Sequence, residues 1–404
     1  MNVRSISIAT SLLIGVLAVA CGGAARRSGF ETEKDPTLGA DAGDAGPTLD
    51  FETDAGTPHP CSVNRTSNEL DKDFDGDGYA LKDDCDECNT GTNKGAQDIP
   101  GNGVDEDCSG TPDDEAVDCD ANIDLEPTDA FEGARAMGLC KKADPNGVDW
   151  GVVEAKWVKP DGKKLTDLRG VGVLPAFGVN APQSGVSMLA LSSGIARSRD
   201  DDGFNAGTSQ VKNYTSGTPD GYPKESPACQ GVISGDANDG ASLLVKIRVP
   251  SNAKSFSYQQ FFFTFEYPIF ICDRFNDFFV TMLDPIPDGQ ADGNVAYDQD
   301  SNPISVNNSL LQVCTAGTHG DAPNEKHFDC PLGPDLLEGT GFEGHGGTGW
   351  LTTTAPVAPG KEITLLFSIW DSADGRYDST VLVDDFKFSL EEAGSAKTLP
   401  TDPK

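Results

Sequence analysis

Between residues 150 and 390, apolar side chains recur at every second position in short runs, and each run ends in a turn rich in Gly or Pro. Leu243, Val245, Ile247 and Val249 share one face, as do Val153, Ala155 and Trp157. Ile363, Leu365, Phe367 and Ile369 repeat the pattern, and Val381 and Val383 continue it near the end. A period of two presents one side of a strand to a core. Phe256 to Phe265 is a longer aromatic run and Phe278 to Leu283 a short apolar one. Turn residues separate them, as in Pro285-Ile286-Pro287-Asp288-Gly289 and Ala358-Pro359-Gly360. Helical spacing is confined to Ala130, Phe131, Ala134 and Met137, with Thr128 or Asp129 as cap and Gly138 as stop. The expectation is a mainly β chain: an antiparallel, jelly-roll-like β-sandwich with one short N-terminal helix, preceded by a small disulfide-tied acidic module.

Composition narrows the function classes. The 46 glycines and 26 prolines among 404 residues argue against bundles and coiled coils. Thirty Lys and Arg against 65 Asp and Glu leave a charge of -35, which repels phosphate, so no nucleic-acid partner is expected. A hydrophobic content of 37% is too low for a multi-spanning membrane protein.

The first residues read as an address. Arg4 precedes an apolar run, Ile6 to Ala20, of signal-peptide length. Leu17-Ala18-Val19-Ala20-Cys21 resembles a bacterial lipobox, although Ala18 stands where that pattern has Leu. The resemblance implies that Cys21 is diacylated and becomes the N-terminus, anchoring the chain to a membrane without a span. By resemblance to other Gram-negative lipoproteins, Gly22 after it implies the outer membrane, facing the cell surface or the periplasm. An ordinary signal peptide with an incidental cysteine is the alternative. The expected organisation is a signal peptide (1–20), a disordered tether (21–60), an acidic module (61–118), a sandwich (119–390) and a polar tail (391–404). The tether is small and polar, and buries too little surface to offset chain entropy.

Of 11 cysteines, setting Cys21 aside leaves an even set, as expected of disulfides in an exported chain. Proximity pairs Cys61 with Cys88, Cys85 with Cys108, Cys119 with Cys140, Cys229 with Cys272, and Cys314 with Cys330. Zinc competes for Cys85-Asp86-Glu87-Cys88, but no second CxxC or HxxxH follows at finger spacing.

The densest chemistry lies in Asp73-Phe74-Asp75-Gly76-Asp77-Gly78-Tyr79. Calcium takes six to eight hard oxygens, so a loop must curl several carboxylates around one point. With Asp73 as the first position of a calcium loop, Asp75 and Asp77 fall at the third and fifth, Gly78 at the turn, and Asp84 at the closing position. Tyr79 would offer its carbonyl. From Asp71 to Asp118, sixteen acids face three lysines, a density that repels itself open unless cations screen it. The loop resembles thrombospondin type 3 calcium repeats. More closely, it is similar to a metal-binding motif of exported myxobacterial proteins that joins DxDGDGY to DCDD and GxDEDCDG. The corresponding pieces are Asp75 to Tyr79, Asp84-Cys85-Asp86-Glu87, and Gly103-Val104-Asp105-Glu106-Asp107-Cys108-Ser109-Gly110. Ser109 replaces an Asp of that motif and Cys88 is an addition. On this resemblance Asp105 and Asp107 join the ligand set, and one or two calcium ions are expected.

The sandwich carries a second resemblance. Asp129-Ala130-Phe131, Gly138-Leu139-Cys140, Asn238-Asp239-Gly240 and Ser255-Phe256-Ser257-Tyr258-Gln259 are among its carriers. Phe265-Glu266-Tyr267-Pro268, Phe275-Asn276-Asp277-Phe278-Phe279, Gly347-Thr348-Gly349-Trp350-Leu351 and the Ser379 to Phe386 strand complete it. Together they resemble the choice-of-anchor L family of bacterial surface proteins from about Cys119 to Leu390. The resemblance implies a surface location and a β-rich fold, and no reaction. Glu266, Asp277 and Asp384 could form a further calcium site; turn capping by the same acids stays open beside it. There is no GxSxG elbow, HExxH or GxxxxGK[ST]. Adhesion or binding of a surface glycan or protein ligand is therefore expected over catalysis. A glycan-directed hydrolase and a structural coat component are the competing classes.

Overall fold

A computed structural model describes residues 69–114, 119–321 and 324–401, which fall within one unit. The expectations for the signal peptide, Cys21, the tether and Cys61 lie outside the described residues.

Helix α1 (Ala130–Ala136) is capped by Asp129, whose carboxylate accepts the Phe131 amide, and Gly138 follows it at φ +101. The strands are β1 (Gly151–Val158), β2 (Val171–Leu174), β3 (Met188–Ser192), β4 (Thr215–Ser216) and β5 (Ala237–Arg248). Next come β6 (Ser255–Thr264), β7 (Phe278–Asp284), β8 (Gly317–His319), β9 (Lys326–Phe328) and β10 (Gly346–Gly347). The last are β11 (Leu351–Pro356), β12 (Glu362–Ser372), β13 (Ser379–Ser389) and β14 (Lys397–Pro400). One antiparallel sheet runs β1-β5-β12-β7, with β4 beside β5. The other runs β14-β11-β6-β13-β3-β2, with β10 beside β6. Hairpin β8-β9 stands apart from both.

The alternating residues of both sheets meet in the main core. Leu243, Val245, Ile247, Leu365, Phe367 and Ile369 from the first sheet pack there with Phe256, Tyr258, Phe262, Val381 and Val383 from the second. Fully burying one such side chain contributes about 1.5–3 kcal/mol. Tyr258 crosses the gap, its ring 5.2 Å edge-on to Phe367 and its hydroxyl 2.6 Å from Thr281. Around Phe261 to Phe263 both sides of β6 are covered by apolar side chains. Phe261 and Phe263 point away from the main core into a second one with Phe177, Met188 and Phe342. A third cluster gathers Tyr267, Ile271 and Phe328 around the cysteines of two disulfides, Cys229–Cys272 and Cys314–Cys330.

Residues 397–400, expected as polar tail, form an edge strand on β11. Thr398 is buried there and hydrogen-bonds Thr353 at 2.8 Å.

Candidate metal centre

Residues 69–114 contain turns and bends but no helix or strand. Their shape comes from aspartates bonding their own backbone, as short polar side chains do in turns. Asp73 accepts the amides of Gly76 at 2.7 Å and Gly78 at 3.0 Å. Asp75 accepts Asp77 N at 3.1 Å, and Asp77 accepts Tyr79 N at 2.7 Å. Gly76 and Gly78 sit at φ +84 and +96, where a side chain would strain the curl. The Cys85–Cys108 disulfide ties this loop to the second half of the module.

The loop brings its acids together. Single oxygens of Asp75, Asp77 and Asp84 lie within 4.8 Å of one another, and so do those of Asp73, Asp75 and Glu87. Asp75 is common to both groups. Glu87 Oε2 accepts the Phe74 amide at 2.7 Å, while Glu87 Oε1, Asp75 Oδ2 and Asp84 Oδ2 are buried with no hydrogen-bond partner. Burial, then the charges of Asp77, Glu87 and Asp75, push the Asp84 carboxyl up to about 7, against the pull of the Asp86 amide. Burial raises Asp77 as well. Buried carboxylate oxygens without partners are costly unless a cation or proton meets them.

The donor set is carboxylate oxygen throughout, which fits a hard cation such as calcium. Cys85 and Cys88 are both in disulfides, so neither is a thiolate for zinc. Asp73, Asp75, Asp77 and Asp84 thus fall in two carboxylate triads joined at Asp75. Glu87, which sequence reasoning missed, joins them; its position three residues beyond Asp84 was the available signal.

Asp105 and Asp107 gather elsewhere, with Asp98. Their oxygens are engaged. Asp98 accepts Glu106 N at 2.8 Å and Asp114 N at 3.0 Å; Asp105 accepts Ser109 N and Gly110 N, each at 2.9 Å. Asp107 pairs with Lys141 Nζ at 2.7 Å. Burial works to raise the Asp107 carboxyl, but the Lys141 bond and charge outweigh it and hold it low. Lys141 thus meets one Asp107 oxygen of this second group, whereas no described lysine or arginine pairs with the acids of the first.

Tyr79 sends its ring over Gly95 and its hydroxyl toward Ser251, on the loop between β5 and β6. Asn93 reinforces the junction. Its amide donates to Asp77 Oδ2 at 2.7 Å, and its Oδ1 accepts the Ser251 hydroxyl at 2.7 Å. Gln97 and Asn252 exchange two further bonds, of 3.1 and 2.8 Å. The carboxylate locus is therefore two hydrogen bonds from the sandwich.

Residues 180–389 match the model of the family described as Choice-of-anchor L domain. The chain belongs to the Choice-of-anchor L family. No curated protein matches it. The Choice-of-anchor L match begins after α1, β1 and β2, although β1 pairs with β5 inside it, and it excludes the acidic module. Membership marks a surface-associated protein. Among the described residues no helix is long and apolar enough to cross a membrane. Within the Choice-of-anchor L domain, Asp384 does not join Glu266 and Asp277. Its carboxylate accepts the Gln183 and Ser184 amides at 2.5 and 3.1 Å, and burial pushes it up to about 7.

Proposed function

We propose that the chain is a lipid-anchored, calcium-binding surface protein whose sandwich mediates adhesion or ligand binding. The observation that carries the calcium reading is the trio of buried, partnerless oxygens on Asp75, Asp84 and Glu87 within one aspartate-rich loop. An ion there would be held by Asp75, Asp77 and Asp84, with Asp73 and Glu87 gathered at Asp75 in the adjoining triad. It would neutralise their repulsion and fix Asp77, which fixes Asn93 against Ser251. Calcium thus stiffens the junction between module and sandwich rather than taking part in a reaction.

The anchor reading rests on the lipobox-like Leu17 to Cys21 and agrees with a surface-associated family. Cys21 would carry the lipid, with the outer membrane as partner. The ligand is a surface glycan or protein. Calorimetric titration of the full chain tests the ion: calcium heat lost in Asp75→Asn supports the reading, and no heat below millimolar calcium overturns it. A glycan array probed with and without chelator then tests calcium-dependent ligand binding, and measurable glycan hydrolysis would favour the hydrolase alternative.

A further inference from the structure

The acidic module and the sandwich share a cleft of about 450 Å³, a size that small-ligand sites take. The module lines it with Gln97, Asp98 and Pro100, the turn after α1 with Gly138 to Lys141, and β13 with Asp384 to Phe388. Ser184 and Gly185, on the loop before β3, line it too. Bonds across the junction fix its shape: Lys141 to Asp107, and Gln97 to Asn252.

Each charged side chain that lines the cleft already has a partner. Lys141 pairs with Asp107 at 2.7 Å, Lys387 with Asp385 at 3.0 Å, and Arg135 with Glu132 at 2.7 Å. Asp98 accepts the Glu106 and Asp114 amides, and Asp384 those of Ser184 and Asp385 at 3.1 and 2.6 Å. Asp120 accepts the Val186 and Ser187 amides at 2.7 and 2.6 Å. A charged ligand would have to break such a pair, and the chain's charge of -35 repels anions besides. Two polar atoms of lining residues stand idle. Asp120 Oδ1 and Trp150 Nε1 are buried without hydrogen-bond partners, in residues 5% and 8% exposed. One accepts and the other donates, and a hydroxyl can serve either. Apolar surface comes from Phe388, a half-buried ring braced edge-on by Trp150 and Phe386 at 6.0 and 5.3 Å. A ring already held in place loses little freedom when a ligand packs on it. An uncharged ligand with an apolar face and a rim of hydroxyls matches this lining, and that is the chemistry of a sugar ring.

We propose that this cleft binds the uncharged saccharide end of a surface glycan. The proposal rests on the ligand-binding reading above and gives it a place. Module and sandwich both line the site, so it is complete only while the module is docked.

The test probes the full chain, in calcium, on an array of uncharged hexose and N-acetylhexosamine oligosaccharides beside their sulfated and sialylated forms. Phe388→Ala removes the apolar ring, and Ser184→Trp fills the cleft from its exposed rim. Lys164→Trp, in a separate cleft beside β1, is the control. The expected result is binding of an uncharged glycan that falls about ten-fold or more in Phe388→Ala and in Ser184→Trp, and is unchanged in Lys164→Trp. Near-ultraviolet dichroism should stay native throughout. Should Phe388→Ala misfold, Ser184→Trp decides, because its site of change is exposed. An uncharged glycan bound equally by the parent and Ser184→Trp overturns the cleft as the site and leaves the ligand-binding reading standing. A parent that binds only sulfated or sialylated forms also overturns this proposal, and one that binds no glycan overturns it together with the glycan half of that reading.

Discussion

The Asn93 side chain joins Asp77, to which it donates at 2.7 Å, to Ser251, whose hydroxyl it accepts at 2.7 Å. One amide therefore connects the carboxylate locus to the β5–β6 loop of the sandwich. Asn93→Ala should leave calcium binding within a few-fold of the parent but lower stability by about 1–3 kcal/mol, because Asp77 and Ser251 lose a buried partner. Its unfolding midpoint should also move less on adding calcium. Urea unfolding with and without calcium measures both effects. A calcium shift as large as in the parent would show that the junction runs through other contacts.

Gly95 is fixed by the ring above it. A Cβ there would stand 1.9 Å from the Tyr79 hydroxyl oxygen. Gly95→Ala should push Tyr79 off Ser251 and cost about 1–3 kcal/mol, as overpacking does. Tyrosine fluorescence and thermal unfolding would report it, and a neutral result would mean that the ring relocates freely.

Glu87 does two jobs, holding the Phe74 amide with one oxygen and leaving the other idle. Glu87→Gln should weaken calcium roughly ten- to a hundred-fold through the lost charge. Asp107→Asn should leave affinity and stoichiometry unchanged, since Lys141 already serves that carboxylate. Calorimetry on the two variants separates a loop-centred site from one that uses both halves of the module.

Much of this architecture is legible in the chain, for identifiable reasons. Leu243 to Ile247 and Ile363 to Phe367 alternate strictly because one face of each strand is buried and the other only partly so, and the Asp129 cap and Gly138 stop bound a helix that tertiary contacts do not override. β14 escapes notice because it spans four residues, with Leu399 exposed and a threonine, Thr398, facing inward. The repeat of Asp73, Asp75 and Asp77 announces a hard-ion loop by spacing alone. Glu87 does not, because it lies beyond the twelve-residue frame and meets Asp73 and Asp75 only when the chain folds back to Phe74. The difference between the idle oxygens of the first half and the engaged ones of Asp98, Asp105 and Asp107 rests partly on Lys141, which is remote in sequence.

The acids also set a pH dependence in the metal-free chain. Asp84 is pushed up to about 7 by burial and the neighbouring acids, and burial pushes Asp378 and Asp384 to about 7 too. A folded-state pKa above the unfolded value near 4 means that the native chain holds protons the unfolded chain has released. The stabilisation is complete below about pH 4 and is lost as pH rises through about 7. The unfolding midpoint in chelator should therefore fall across that window, and calcium should restore the part that comes from Asp84. A chelated chain whose midpoint rises from pH 5 to pH 7 would contradict these shifts.

The central claim is that a divalent ion organises the acidic module and, through it, the sandwich. Thermal unfolding of the full chain at neutral pH, in calcium and then in excess chelator, tests it most directly. Calcium at about a hundred times its dissociation constant should stabilise the fold by about 2.7 kcal/mol per site, so chelator should lower the midpoint by several degrees and expose the module to protease. An unchanged midpoint and unchanged protease resistance would contradict the account.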